Sequence, residues 1–380
     1  MNSKARPFLD FYEKHEIIPT KLNINSQSEF FAQRDRLFKS LGVPPILLRG
    51  KNIFELGPGT GQKATHLLSM HPMSYMAVEN NPMSLEATQA AIESSKYSGN
   101  AEVKDLDFLA YESLRQFDLV LAELVLSTQS NPEHFLKKLL EITIDQGILV
   151  FTCCDPISML SETLRKAITL NEDLVDGDLK SSSIRIASFF KQDLDHLKGM
   201  NRVRTDWAID QLINPWLGPL LSIPDAIASL GSGAVFHGSS PRFIDDYRWY
   251  KDPEISVKSM NENAVQNYWE KCHNFLDSRL PRSTQDVNFN RVLYTVCGDL
   301  YSEVYTNGWN KDSHSEVSKI CLKLKDHICD LGKVINNSLD AFIDYWQSGD
   351  IASLEEFRPF WGRGTQYISF IKSDPIETSN

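Results

Sequence analysis

At 380 residues the chain is longer than one compact domain usually needs, so one core with large insertions, or two domains, is expected. Its 42 % hydrophobic and 23 % charged residues are ordinary for a globular protein, and a net charge of −11 argues against a nucleic-acid enzyme, which needs a basic face for phosphates. No run approaches the ~18 apolar residues of a membrane span. Charges break up the first residues, so no signal peptide is read there, and the six cysteines show neither a C-x-x-C pair nor zinc spacing. The expectation is a reduced, cytoplasmic protein without a metal.

The elements read as follows in chain order. Helices over 8–16 and 27–41 come first, the second with Asn25 and Ser26 as candidate caps and Phe30, Phe31, Leu37 and Leu41 on a helical repeat. From 52 onward strands and helices alternate: strands at 53–56, 75–79, 101–103, 117–122 and 147–153, helices at 61–71, 82–95 and 132–142. Such alternation predicts right-handed βαβ units around a parallel sheet. Residues 157–221 read as mostly helical, 222–230 as a crossover helix, 234–238 as a sixth strand, 260–348 as several helices and 367–371 as a last strand.

The stretch Asn52-Ile53-Phe54-Glu55-Leu56-Gly57-Pro58-Gly59-Thr60-Gly61-Gln62 is a strand, a tight glycine loop and a helix start. Glycine lets the backbone pass close to a ligand because it lacks Cβ. The spacing is G-x-G-x-G. The third glycine of the dinucleotide fingerprint would fall at Gln62 and is absent, which with Pro58 in the loop counts against a nicotinamide oxidoreductase. The loop resembles the first motif of class I S-adenosylmethionine (SAM)-dependent methyltransferases. Phe30-Phe31-Ala32-Gln33-Arg34-Asp35-Arg36 and the order of segments are similar to bacterial members with long helical C-terminal extensions. The resemblance implies an α/β, Rossmann-like sheet of seven strands with the last antiparallel. Helical insertions would follow strand five and separate strands six and seven. The expected segments are an N-terminal helical part (1–49), a SAM-binding core (50–156), a helical cap (157–221), a return to the core with a substrate-mouth segment (222–256), a second helical insertion (257–350) and a final strand and tail (351–380).

It also implies roles. Glu79 ends the second strand 22 positions after Gly57, near the ~20 expected of the ribose acid in Rossmann-like folds, with Asn80 beside the adenine. Asp107 would receive the adenine amino group and Phe108 pack on the ring, with Asp105 as the alternative acid. Glu55, in the first strand, and Glu123, after the fourth, would lie near the methionine moiety. The cofactor-binding set is therefore Glu55, Gly57, Pro58, Gly59, Gly61, Glu79, Asn80, Asp107, Phe108 and Glu123. In this family acceptors approach from the carboxyl ends of strands four and five, which singles out Asp155 and His237 as candidate catalytic residues. For each a plain alternative stands: Asp155 before Pro156 as a helix cap, His237 as a structural histidine.

The segment 242–251 holds three cations and four aromatics. Arg242, Arg248, Tyr250 and Lys251, with Trp207 and with Arg363 between two glycines, are candidate substrate contacts, since arginine forks bind carboxylates or phosphates. An internal salt-bridge cluster with Asp245, Asp246 and Asp252 is the competing reading. The expected activity is transfer of a methyl group from SAM, leaving S-adenosyl-L-homocysteine, to an O or N atom of a small polar, anionic acceptor such as a nucleotide- or lipid-linked sugar. The alternatives are a catalytically silent SAM-binding scaffold and a methyltransferase acting on a protein or peptide. Expected partners are the acceptor and, in a homodimer, a second copy; neither nucleic acid nor a membrane span is expected.

Overall fold

The computed structural model describes residues 7–18, 21–24, 26–111, 115–214, 220–249, 251–252 and 255–374. Asn25 and Tyr250 lie outside them. The chain divides into two compact units: Met1–Cys153, Leu217–Tyr268 and Gln366–Asn380 form the first, Cys154–Trp216 and Trp269–Thr365 the second.

The first unit holds a sheet of β1 (Asn52–Leu56), β2 (Ser74–Val78), β3 (Ala101–Lys104), β4 (Phe117–Ala122), β5 (Thr143–Cys153), β6 (Ala234–Ser240) and β7 (Gln366–Lys372), in the order β3-β2-β1-β4-β5-β7-β6. The first five strands run parallel, and β7 is antiparallel to both β5 and β6. β1, β2 and β4 are mostly apolar, with Glu55 and Asp118 as the acids within them, because helices cover both faces. Phe370 of β7 ties three strands together, stacking on Phe151 at 5.6 Å and meeting Phe236 edge-on at 5.3 Å.

Helices α1 (Pro7–His15) and α2 (Gln27–Ser40) precede the sheet; α3 (Gln62–Leu68), α4 (Pro82–Glu93) and α5 (Pro132–Glu141) cross over between strands. The helices after β2 and β4 begin alike. Asn81 Oδ1 accepts from the Met83 and Ser84 amides, and Asn131 Oδ1 from the His134 amide; in both cases proline follows. The side chain satisfies an orphan donor, and proline's missing N–H costs nothing at that position. β5 begins at Thr143, earlier than the sequence pattern suggests. A register shift against β4 accommodates the extra residues, with Gln146 at φ +59° and Gly147 where a Cβ would lie 2.7 Å from the Ile144 carbonyl.

The second unit is helical: α6 (Leu160–Asn171), α7 (Leu179–Phe189), α8 (Lys191–Asp195), α9 (Arg204–Trp207) and, after α10 (Ile223–Leu230) and α11 (Val257–Lys271), helices α12 (Val287–Tyr305), α13 (Ser313–Ile328) and α14 (Lys333–Ser348). At its centre lies Arg165, fully buried over the Trp361 ring at 3.6 Å. Its Nε donates to Asp193 at 3.0 Å and its Nη groups to the carbonyls of Ser161, Arg358 and Phe360. Nη2 also lies 2.9 Å from the Asp193 carboxylate, so all five donors of a charge taken out of water are matched. A π-helical turn, Ala208–Ile213, was not legible in the sequence. Tyr305 Oη and Lys166 Nζ donate to the Gln211 and Leu212 carbonyls that this turn leaves without helical partners.

Candidate active site

The glycine loop leaves the carboxyl end of β1, and its shape depends on missing side chains. At Gly57, φ is +69° and a Cβ would sit 2.6 Å from Val125 Cγ2. At Gly61, the residue before α3, φ is +75° and a Cβ would lie 2.8 Å from Thr88 Cα, so the loop packs directly on the backbone of α4. Thr88 Oγ1 closes that contact by donating to the Gly59 carbonyl at 2.9 Å.

Glu79, one residue past β2, faces the loop. Its Oε2 accepts from the Gly59 amide at 3.3 Å and its Oε1 from the Asn81 amide at 3.0 Å. Burial raises its pKa against the pull of those amides. Asn80 points to the next strand, donating to the Leu106 carbonyl at 2.8 Å and to Asp105 at 3.2 Å. Asp107 caps a short turn by accepting from the Leu109 amide at 3.1 Å. Phe108 is 2 % exposed, with Phe54 at 5.6 Å and Phe135 stacked at 6.1 Å, so in this structure its ring belongs to the core.

Beneath the loop lies a charged cluster that the sequence reading only half anticipated. Glu123, after β4, receives both Nη groups of Arg34 from α2, one at 3.0 Å, and Lys63 Nζ from α3 at 2.9 Å. Burial works to raise the Glu123 pKa, but the two cations outweigh it and hold the carboxylate at about 2. Glu55 lies alongside, 1 % exposed, taking a 2.5 Å hydrogen bond from Tyr75 Oη. Burial, then the charge of Glu123, pushes it up to about 7. His66 Nε2 meets Asp35 at 2.9 Å, and burial lowers its pKa to about 4.

Arg34 and Lys63 were absent from the sequence-based set, yet each left a trace. The buried residues of α2 are Phe30, Arg34 and Phe38, so a cation stands in the middle of an apolar stripe. Lys63 sits in the first turn of α3, where the helix dipole disfavours a cation.

The candidate acceptor residues scatter. Asp155 is fully buried and its Oδ1 accepts from the Ser158 amide at 2.8 Å. His237 is on edge strand β6, its Nε2 3.1 Å from the Gly42 carbonyl. Four strand spacings separate β6 from β1, about 19 Å at the usual ~4.8 Å each. Arg242 donates to the Ser40 and Lys39 carbonyls at the end of α2. Arg248 forks onto Asp246 and reaches Ser259 at 3.0 Å, and Lys251 lies over the Trp249 ring. Trp207 is a core residue of the second unit, edge-on to Phe190 and Trp361. Arg363 differs from the other candidate cations. Its amide donates to the Phe275 carbonyl, but among the described residues its guanidinium makes no ion pair or hydrogen bond. Among the described residues no cluster of metal-ligating side chains occurs and no helix is long and apolar enough to cross a membrane.

The donor set fits a nucleoside. Glu79 is an acceptor at a strand end with two backbone amides already in place, Asp107 is a second acceptor beyond β3, and the glycine loop lets a ligand approach bare backbone. No curated protein matches the chain. Residues 47–204 match the family described as "Methyltransferase domain". Among solved structures the chain is similar to the N-methyltransferase NodS of Bradyrhizobium japonicum, 19 % identical over 38 % of this chain and 73 % of that one, TM-score 0.30. It is also similar to the CcbJ methyltransferase of Streptomyces caelestis, 16 % identical over 35 % and 50 %, TM-score 0.28. The chain thus spans half the length of CcbJ. A candidate sarcosine dimethylglycine methyltransferase from Galdieria sulphuraria is 13 % identical over 96 % and 97 %, TM-score 0.40. None of these likenesses bears on the acceptor. The family match and the glycine loop on a seven-stranded sheet give one result: residues 47–204 carry a class I, S-adenosylmethionine-dependent methyltransferase domain, and S-adenosylmethionine is the cofactor.

Proposed function

We propose that the enzyme methylates an O or N atom of a small polar acceptor carrying a negative charge, a nucleotide- or lipid-linked sugar or a comparable metabolite. The cofactor supplies the activated methyl group; this chain supplies alignment. Glu79 would accept from both ribose hydroxyls, Asp107 from the adenine amino group, and Gly57, Pro58, Gly59 and Gly61 would leave room for the methionine chain. Lys63 and Arg34 exceed the charge of Glu123 by one, and Glu55, pushed up to about 7, is only about half ionised at pH 7, so the pocket floor suits the zwitterionic methionine end.

The observation carrying the acceptor class is Arg363. Burial and the neighbouring positive charge of Arg282 both lower its pKa, and neither guanidinium has a carboxylate or hydrogen-bond partner among the described residues. In a chain with net charge −11, two adjacent arginines left without acids favour an anionic ligand.

The test is transfer of a labelled methyl group from SAM across paired acceptors: sugar phosphates, hydroxy acids and amino acids, each against its uncharged counterpart. Charged members should be methylated, and Arg363→Gln should raise their KM roughly tenfold or more, about 1.4 kcal/mol, with S-adenosylhomocysteine affinity unchanged. Preference for uncharged members, or an unaltered KM in the variant, would reject the reading.

A further inference from the structure

Three glutamates of the first unit lie at the carboxyl ends of the strands beside the glycine loop: Glu55 in β1, Glu79 past β2 and Glu123 past β4. Two of them are fully engaged. Glu79 has a backbone amide on each oxygen, and Glu123 has Arg34 on both oxygens and Lys63 on one. Glu55 differs. Its Oε2 takes the Tyr75 hydroxyl, and its Oε1 meets no donor among the described residues. The side chain is 1 % exposed and stands two residues before Gly57, where the loop begins. A buried carboxylate oxygen without a donor is unfavourable, and a ligand that supplies the donor relieves it.

The groups facing Glu55 come from each neighbouring element. Tyr75 of β2 donates to it, and burial, then the Glu55 charge, pushes the phenol pKa well above its ordinary value, so Tyr75 stays a donor. Glu123 repels the Glu55 charge, while Lys63 of α3 and Arg34 of α2 attract it. Both cations are in direct contact with Glu123, so neither settles the second carboxylate. His66 of α3, paired with Asp35 of α2, is neutral near pH 7. The charge of Glu123 acts on Tyr367 of β7, and that of Glu79 on Tyr75. Burial is the largest of the effects on Glu55 and the repulsion by Glu123 the next, so the group sits at about 7 and is about half protonated at neutral pH in the ligand-free protein.

We propose that Glu55 receives the ammonium group of the cofactor's methionine end on Oε1 and gives up its proton in doing so, so that cofactor binding releases a proton to solvent. The O–H bond of the protonated carboxyl breaks, the proton passes to water or buffer, and the carboxylate left behind pairs with the cation. A cation in contact with a carboxylate favours its charged form. Glu123 is not available for this pairing, because both its oxygens already hold cations. Affinity is then full above about pH 7 and falls below it, where a proton has to be displaced. The proposal rests on the reading, given above, that the methionine end lies on this floor, and every residue it invokes belongs to the first unit.

Calorimetry of the full-length protein with S-adenosylhomocysteine tests it, at pH 7 in phosphate and in Tris, whose ionisation enthalpies differ widely. The difference in binding heat should correspond to release of about half a proton, and Kd should rise about fivefold between pH 7 and pH 6. Glu55→Gln should bind with the same heat in both buffers and with a Kd that stays constant over that interval. 5′-Methylthioadenosine, which keeps the nucleoside and lacks the ammonium, should bind without proton release. No exchange in the wild type would overturn the proposal, and so would proton uptake, which would put the methionine carboxylate beside Glu55. Release that persists in Glu55→Gln or with 5′-methylthioadenosine would assign the proton to another group, Glu79 first, and overturn it equally. A wild-type protein that binds S-adenosylhomocysteine in neither buffer would overturn the cofactor assignment itself, and the proposal with it.

Discussion

Arg34 and Glu123 lie 89 positions apart and meet in a two-point ion pair, with 7 % and 1 % of their side chains exposed. Removing one partner of such a pair strands a charge, which costs roughly 3–5 kcal/mol. Lys63 still touches Glu123, so Arg34→Met is expected near the lower end, about 3 kcal/mol. Arg34→Lys should recover only part, because it lacks the fork. Urea denaturation of the three proteins measures this; equal midpoints would mean that the pair contributes nothing to holding α2.

The same cluster sets opposing pH dependences. Glu123 is held at about 2, so its contribution to stability is complete above the ordinary 4.5 and is lost as pH falls from there toward 2. Glu55 is raised to about 7, so folding favours its protonated form. That contribution is complete below 4.5 and disappears as pH rises toward 7. Glu55→Gln keeps an acceptor for Tyr75 and removes the second slope. At about pH 8 it should be more stable than wild type by on the order of 3 kcal/mol, converging near pH 4.5. Thermal unfolding at both pH values checks it; parallel profiles would contradict it.

Glu79→Ala should weaken S-adenosylhomocysteine binding by roughly 1–3 kcal/mol, the cost of leaving polar groups unpaired. Calorimetry gives the number directly. Unchanged affinity would remove the ribose role from Glu79 and leave it as a brace for the Gly59 and Asn81 amides.

Gly61→Ala combines a left-handed backbone, costing about 1–2 kcal/mol for a non-glycine residue, with a clash against the Thr88 backbone. Gly177→Ala shares a positive φ, but nothing lies within 4 Å of its Cβ position. The first should lose at least about 2 kcal/mol of stability and most of its cofactor affinity, the second about 1 kcal/mol and no affinity. Equal losses would mean that backbone strain, and not the packing of loop on α4, decides the effect.

The sheet was legible because strands buried on both faces are mostly apolar, as in Ile53–Leu56 and Phe117–Ala122, each interrupted by a single acid. The glycine loop and Glu79 were legible because their spacing is local. The charged floor was not. Nothing in sequence couples Arg34 to a glutamate 89 positions on, and the only hint was a cation inside a hydrophobic stripe. Arg242 drew attention through its aromatic neighbours, but its donors satisfy carbonyls at the end of α2, a demand set by tertiary packing.

The position of β7 has a consequence for how the chain comes to be folded. It is an inner strand, paired on both sides, yet it is drawn from residues 366–372, beyond every helix of the second unit. When residues up to 350 have left the ribosome, β5 and β6 each present an open ladder of amides and carbonyls with nothing between them. Closing that gap joins Phe151 and Phe236 through Phe370 in a single late event with long sequence separation, a slow class of step. Until then two exposed edges stand ready to pair with any passing strand, so nascent chains of this protein should lean on chaperones for much longer than the finished enzyme's ordinary composition suggests.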